Sequence, residues 1–414
     1  MLGRRGLTIF ALSLAVSARA EELATRPEVP SSSSEGLRLS LMTPRDRSIV
    51  GDSSHRLFVA GRALTFAGTQ ELYDLVVMID TSRSTAAPAG ADIDGDGWVG
   101  SGREGRWIES TSDDWGDTVL AAQIYATRAL LAQLDSRTTR VGIVTFAGDD
   151  DPTTPDAVRL AALTFDYTHL YEVLDYLLVH RPTGHTHIAE ALTVAADEIQ
   201  GRGRSRSRPE ATPVLLLMTD GQPTRPFPSR DQNARHTVEV GRAVAARGIR
   251  IDPFAIGEAA NQDASVLEAL ADASGGLLTP VLQPAELLAT FEHLQLAHLV
   301  AVQVRNRTTG ALAERVVLQP DGSFAAIVDV GPGENRVEVL ARDSLGRTAT
   351  RIVDVQRIPD GRPPALSPRL ARSHTGLLKV HLLSLLREQI ALEQAEAEQQ
   401  RRRQVEIDVE ETGP

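Results

Sequence analysis

From residue 75 to 280 the chain alternates between two hydrophobic periods. Near-continuous apolar runs at 75–79, 140–147, 159–164, 212–219, 249–256 and 276–280 read as strands buried on both faces. The segments 115–134, 170–179, 188–199, 233–247, 264–273 and 284–296 carry helical patterning, the fifth with Asp263 placed as its N-cap. This alternation predicts an α/β fold with a doubly wound, mostly parallel sheet and helices on both faces. In such sheets ligands bind beyond the C-terminal ends of the strands.

From residue 300 the pattern shortens to strand-like runs at 300–305, 314–318, 323–328, 335–341 and 348–355, with Asp321-Gly322 and Ser344-Leu345-Gly346 as turns. Two further runs precede the α/β part, at 37–42 and 56–66. Two strands bury no core alone. The C-terminal set is short of the roughly seven strands of a full sandwich. One all-β sandwich built from both ends, with the α/β domain inserted between them, accounts for both. The rival arrangement has 37–66 extending the parallel sheet or packing separately. The phrases DGSF, GPGENRVEV and ARDSLGRTAT resemble the immunoglobulin-like modules of bacterial surface proteins.

The termini have their own signals. Arg4 and Arg5 precede an apolar run at 7–16, and Ala18-Arg19-Ala20 has the form of a cleavage site. A secretory signal over 1–20 follows, and with it export to the periplasm, the cell surface or the medium. The run is too short to span a bilayer, and no other stretch is long enough to be a transmembrane helix. The expected layout is a leader at 21–35, sandwich strands at 36–68, the α/β domain at 71–297, the rest of the sandwich at 298–357, a proline-rich linker at 358–372 and a helical tail at 373–414. Leu378, Leu382, Leu383, Leu385, Leu386 and Ile390 form a stripe on that tail, fewer than two heptads long. It reads as a solvated helix, with weak self-association or partner docking as the alternative.

Composition narrows the partners. The net charge is −12 and Lys379 is the only lysine, which argues against nucleic acid and favours cations. Cysteine is absent, which excludes thiol chemistry and cysteine metal sites.

Chemistry concentrates after the first parallel strand. Asp80 ends the apolar run, and Ser82 and Ser84 follow at i+2 and i+4. One carboxylate and two hydroxyls at a strand end can converge as hard oxygen donors suited to Mg²⁺, Mn²⁺ or Ca²⁺. Thr186 lies in the polar loop 183–187, and Asp220 ends the run 214–219. D-x-S-x-S, the later Thr and T-D-G after a second buried strand together resemble the von Willebrand factor type A domain. That family carries a metal-ion-dependent adhesion site. The resemblance covers roughly 71–297. It implies Ser82 and Ser84 as direct ligands of Mg²⁺ or Mn²⁺, Thr186 as a ligand in the binding-competent state, and Asp80 and Asp220 acting through water. It also implies capture of an acidic side chain from a protein or glycan partner.

A second candidate is the loop Asp92-Ile93-Asp94-Gly95-Asp96-Gly97-Trp98. Asp at positions 1, 3 and 5 with Gly at 6 resembles the front half of an EF-hand-type calcium loop, with the Trp98 backbone carbonyl as a further ligand. It departs at the twelfth position, which is Arg103; Glu104, Asp114 or Asp117 is the substitute to look for. The alternative is a plain acidic turn in an insertion at 85–114. His185 and His187 flank Thr186; as an H-x-H pair they could bind zinc but lack a third ligand, and they read as residues of the site's rim. The arginine-rich run 202–208 reads as a solvated connecting loop. G-x-S-x-G and H-E-x-x-H are both absent. The expectation is an exported binding protein and not an enzyme. The alternative is a structural or assembly component of the cell envelope with an incidental metal site.

Overall fold

The computed structural model describes residues 32–33, 36–51, 55–65, 71–105, 108–149, 151 and 153–358. The signal, linker and tail-helix readings, and all of the leader but Ser32–Ser33, lie outside these residues. The strands are β1 (Ser32–Ser33), β2 (Leu37–Thr43), β3 (Ser48–Gly51), β4 (Arg56–Thr65), β5 (Tyr73–Asp80), β6 (Gly102–Gly105), β7 (Ile108–Ser112), β8 (Thr139–Phe146), β9 (Ala157–Thr164), β10 (Thr212–Thr219), β11 (Arg250–Ile256), β12 (Thr279–Val281), β13 (Leu299–Asn306), β14 (Val316–Leu318), β15 (Ser323–Asp329), β16 (Gly333–Asp343) and β17 (Thr348–Ile358). The helices are α1 (Val119–Gln133), α2 (Tyr167–Leu178), α3 (Ile188–Ile199), α4 (Arg230–Ala245), α5 (Gly257–Gln262), α6 (Ser265–Ser274) and α7 (Glu286–Phe291).

The α/β domain is built on a sheet of order β12-β11-β10-β5-β8-β9. All its neighbours are parallel except β9, which runs antiparallel to β8 at the edge. Side chains on a strand alternate between faces, and both faces here are apolar. Leu75, Val77 and Ile79 of β5 pack with α1, α2 and α7, while Val76 and Met78 pack with α3 and α6. That double burial is why the strands read as continuous apolar runs.

The second unit is a sandwich. One sheet has the order β14-β15-β4-β2; the other has β1-β17-β16-β13, with β3 added beside β17. Strand β15, from the C-terminal part, pairs antiparallel with β4, from the N-terminal part, over Ser323↔Arg62 to Asp329↔Arg56. Leu37, Leu39, Leu57 and Val59 share one core with Val304, Phe324, Val328, Val337, Val339, Val353 and Val355.

The two units meet at the N-terminal ends of the parallel strands. Arg250, at the start of β11, donates to the Leu296 carbonyl (2.6 Å) and to Ser344 Oγ (3.4 Å). Arg347 in the sandwich donates to Glu71 (3.0 Å). Asp80 and Asp220 lie at the opposite, C-terminal ends of their strands, so the sandwich leaves that end uncovered.

Several elements differ from the sequence reading. The segment 284–296 is helical only over Glu286–Phe291, because its later residues turn to reach the sandwich, where the Gln295 amide donates to the Pro320 carbonyl (3.0 Å). Asp263 is not the N-cap of α6; that position is Ala264, and Asp263 closes the short α5 instead while accepting from Ser265 Oγ (2.7 Å). Helix α1 starts at Val119 because Thr118 caps it, its hydroxyl accepting from the Ala121 amide (3.1 Å). The hairpin β6–β7 inside the insertion carried no legible alternation. Among the described residues no helix is long and apolar enough to cross a membrane.

Candidate metal centre

The site starts from Asp80, the last residue of β5, a strand buried at every position. Gln123 on α1 holds its backbone in place: the Asp80 amide donates to Gln123 Oε1 (3.0 Å), and Gln123 Nε2 donates to the Asp80 carbonyl (3.1 Å). The Asp80 carboxylate accepts from the Ser82 amide (2.8 Å) with one oxygen and from Thr219 Oγ1 (2.6 Å) with the other. Burial pushes its carboxyl up to about 6, opposed by the hydrogen bonds from Ser82 and Thr219. The groups favouring its charge are thus hydroxyls and an amide, with no cation among them. Ser82 Oγ lies 3.1 Å from Ser84 Oγ, and Ser84 Oγ donates to Asp220 Oδ1 at 2.7 Å. Two carboxylates and two hydroxyls at the C-terminal ends of β5 and β10 therefore meet at one place. Such an all-oxygen set fits a hard divalent ion.

Thr186 is buried and is brought to the same rim by its loop. The Thr183 amide donates to the Thr81 carbonyl (3.0 Å) and the Arg83 amide to the Gly184 carbonyl (3.2 Å), so the loop docks on the serine turn. Thr186 is tied to Thr224 both ways, its amide donating to Thr224 Oγ1 and its carbonyl accepting from the Thr224 amide, each at 2.9 Å. Gly184 makes the approach possible. Its φ is +82°, and a Cβ there would fall 2.1 Å from the Gly148 carbonyl oxygen.

In the insertion, Asp92 and Asp94 gather with Asp117, ligand oxygens within 4.8 Å of one another. Asp96 is not in that group; its carboxylate accepts from the Trp98 amide at 2.7 Å. Asp117 was one of three substitutes for the missing twelfth-position acid. It is fully buried and accepts from the Ile93 amide (2.5 Å) and the Gly100 amide (2.9 Å), which folds the loop back onto the start of α1. Trp98 is 60% exposed.

Sequence reasoning missed two positioning groups. Gln123 was signalled only as a polar residue on an otherwise apolar helix stretch. Thr219 entered only as the first residue of T-D-G, with no role of its own. The arginine-rich run proves to be pinned: Arg208 pairs with buried Asp74 (2.8 Å), Arg202 pairs with Asp197 (2.7 Å), and the Arg204 amide donates to Glu198 (2.9 Å).

Residues 111–283 match the family model of the von Willebrand factor type A domain. The chain therefore carries a domain of that type. The match starts after Asp80, Ser82 and Ser84, which the insertion separates from α1 in sequence. No curated protein matches the chain. Among solved structures, it is similar to a von Willebrand factor type A protein from Catenulispora acidiphila, at 16% identity over 81% of this chain and 76% of that one, with a TM-score of 0.38. It is also similar to the pilus adhesin SpaC from Lactobacillus rhamnosus GG, at 10% identity, 78% and 47% coverage and a TM-score of 0.40. A third likeness is to proximal thread matrix protein 1 from the mussel byssus with a zinc-occupied MIDAS motif, at 15% identity, 54% and 46% coverage and a TM-score of 0.36. At these identities and scores the likenesses fix neither ligand nor partner.

Proposed function

We propose that this is an exported, metal-dependent binding protein of the adhesion type. In this reading Ser82, Ser84 and Thr186 hold Mg²⁺ or Mn²⁺ with Asp80 and Asp220, and the ion supplies an electrophilic position for an acidic side chain of a protein or glycan partner. The observation that carries it is the convergence of Asp80, Ser82, Ser84 and Asp220 at one strand end, with a buried carboxylate that no basic side chain among the described residues neutralises. The protein catalyses no reaction here. The sandwich, taken as an immunoglobulin-like support, leaves the metal end free to meet a partner. Export rests on the signal-like pattern of residues 1–20, and a second ion, Ca²⁺, is assigned to the loop beginning at Asp92.

Magnesium titration of the full chain against Asp80→Ala tests the site. The strand stays buried in the variant while one charge leaves the ion's surroundings, so affinity falls at least about tenfold. Unchanged titration removes the metal reading. Capture of a partner from envelope extract, abolished by EDTA and by Ser84→Ala alike, tests the function that rests on it.

A further inference from the structure

We propose a second divalent-cation site, of the zinc class, formed by Asp156, His187 and Glu190 and distinct from the oxygen cluster at Asp80. The H-x-H pair in the sequence lacked a third ligand. Two carboxylates close on His187, Glu190 from three residues on along α3 and Asp156 from a distant part of the chain, while His185 is exposed and takes no part. His187 Nδ1 lies 2.8 Å from Asp156 Oδ2 and 3.3 Å from Glu190 Oε2. Ligand atoms around a tetrahedral zinc, at bonds of about 2.0–2.1 Å, stand about 3.3 Å apart. Both carboxylate oxygens already stand near that spacing from the ring nitrogen, and the three ligand atoms all lie within 4.8 Å of one another.

The charge count points the same way. A ring nitrogen carries one proton and donates it fully to one acceptor. Two carboxylates facing that nitrogen compete for it and repel each other. A divalent ion in the proton's place satisfies both. The donor set is one imidazole nitrogen with two carboxylate oxygens. Imidazole suits zinc and other late divalent metals, whereas Mg²⁺ and Ca²⁺ prefer oxygen alone.

Each ligand is held in place by the fold. His187 sits at the N-cap position of α3, its amide donating to the Ala147 carbonyl (2.8 Å). Glu190 lies in the first turn of that helix, three residues on, and so shares a face with His187. Asp156 comes from the residue before β9. Its Oδ1 accepts from the Asp149 amide (3.1 Å), which aims Oδ2 at the imidazole. Side-chain exposure is 10% for His187, 13% for Asp156 and 32% for Glu190. A cleft of ≈ 430 Å³, lined in part by Asp156, Glu190, Arg225 and Pro226, opens on the two carboxylates. It gives an ion a way in and water a place as the fourth ligand. His187 adjoins Thr186, so an ion here would stiffen the loop that brings Thr186 to the rim. That consequence rests on the proposed function; the site itself does not.

The test uses the full chain with Ser84→Ala and Asp220→Ala, which disable the oxygen cluster. Titrated with Zn²⁺, this chain is expected to bind one equivalent. Adding Glu190→Gln, and separately Asp156→Asn, weakens that equivalent at least about a hundredfold, since loss of outer partners alone costs 10–100-fold. Glu190 is partly exposed on a helix surface, so its variant keeps the fold. Cobalt in place of zinc gives the visible absorption of a four-coordinate ion, and Glu190→Gln abolishes it. The proposal is overturned if the double variant binds no zinc, or if both ligand substitutions leave the equivalent intact. Either failure leaves the Asp80 site untouched, because that site is absent from the background.

Discussion

Gly61 on β4 and Phe324 on β15 are register partners across the joint between the two ends of the chain. A Cβ at Gly61 would fall 2.8 Å from Phe324 Cζ, 2.9 Å from Phe324 Cε1 and 2.4 Å from the Ser40 carbonyl oxygen. None of these can withdraw freely: Phe324 is fully buried and Ser40 is fixed in β2 by its pairing with β4. Gly61→Ala therefore costs about 1–3 kcal/mol of overpacking in the sandwich. Phe324→Leu removes the ring and costs about 1–2 kcal/mol as an ordinary core truncation. In the double variant only the Ser40 contact is left, so the two losses add to less than their sum, by at least about 0.5 kcal/mol. Native-state hydrogen exchange reads this locally, at the amides of Val337, Val339 and Val353. The amides of Val76 and Val77, in the inserted domain, should be unchanged. Additivity within about 0.3–0.5 kcal/mol would refute the reasoning, because side chains that never meet do not couple. So would full protection at Val337 and Val339 in Gly61→Ala, because then the N-terminal strands are not part of that core.

Three further outcomes are expected. Asp74 is buried and paired with Arg140 (2.5 and 2.8 Å) and Arg208 (2.8 Å), so Asp74→Ala strands two guanidinium groups and costs about 3–5 kcal/mol in urea unfolding; a loss under about 1 kcal/mol counts against the pairing. His298 is buried, and burial pushes its imidazole down to about 4 from 6.5. The unfolded chain then binds more protons between those values, so this group's contribution is complete above pH 6.5 and about 3 kcal/mol is lost as pH falls toward 4. His298→Gln should flatten that slope; the same slope in the variant assigns it elsewhere. Calcium should slow proteolysis within 85–114, since Asp92, Asp94 and Asp117 repel one another without a cation between them, and equal rates in EGTA and in millimolar calcium would speak against it.

The sequence by itself determined what depends on local period. Strands such as 75–79 and 214–219 are buried on both faces, so each position must be apolar, and continuous runs alternating with helical segments specify a doubly wound sheet. The spacing of Asp80, Ser82 and Ser84 is likewise local, because residues at i, i+2 and i+4 on one turn are neighbours whatever the rest of the chain does. Which groups those residues meet was a tertiary matter. Gln123 clamps Asp80 from α1, and the Ser84 hydroxyl reaches Asp220, only because β5 and β10 lie side by side in the sheet. The same holds for β9, whose edge position and reversed direction no residue in it announces. Asp117 comes beside Asp92 and Asp94 because the insertion folds back onto the start of α1, a closure set by contacts and not by counting from Asp92. His187 shows the division most clearly. Its sequence neighbours include exposed His185 and, three residues on along the same helix, Glu190; only the fold set Asp156, from the residue before β9, against it as well. Local pattern records which side chains a residue can have as neighbours along one element. The pairing of distant elements, through shared burial and hydrogen bonding, selects which of them it touches.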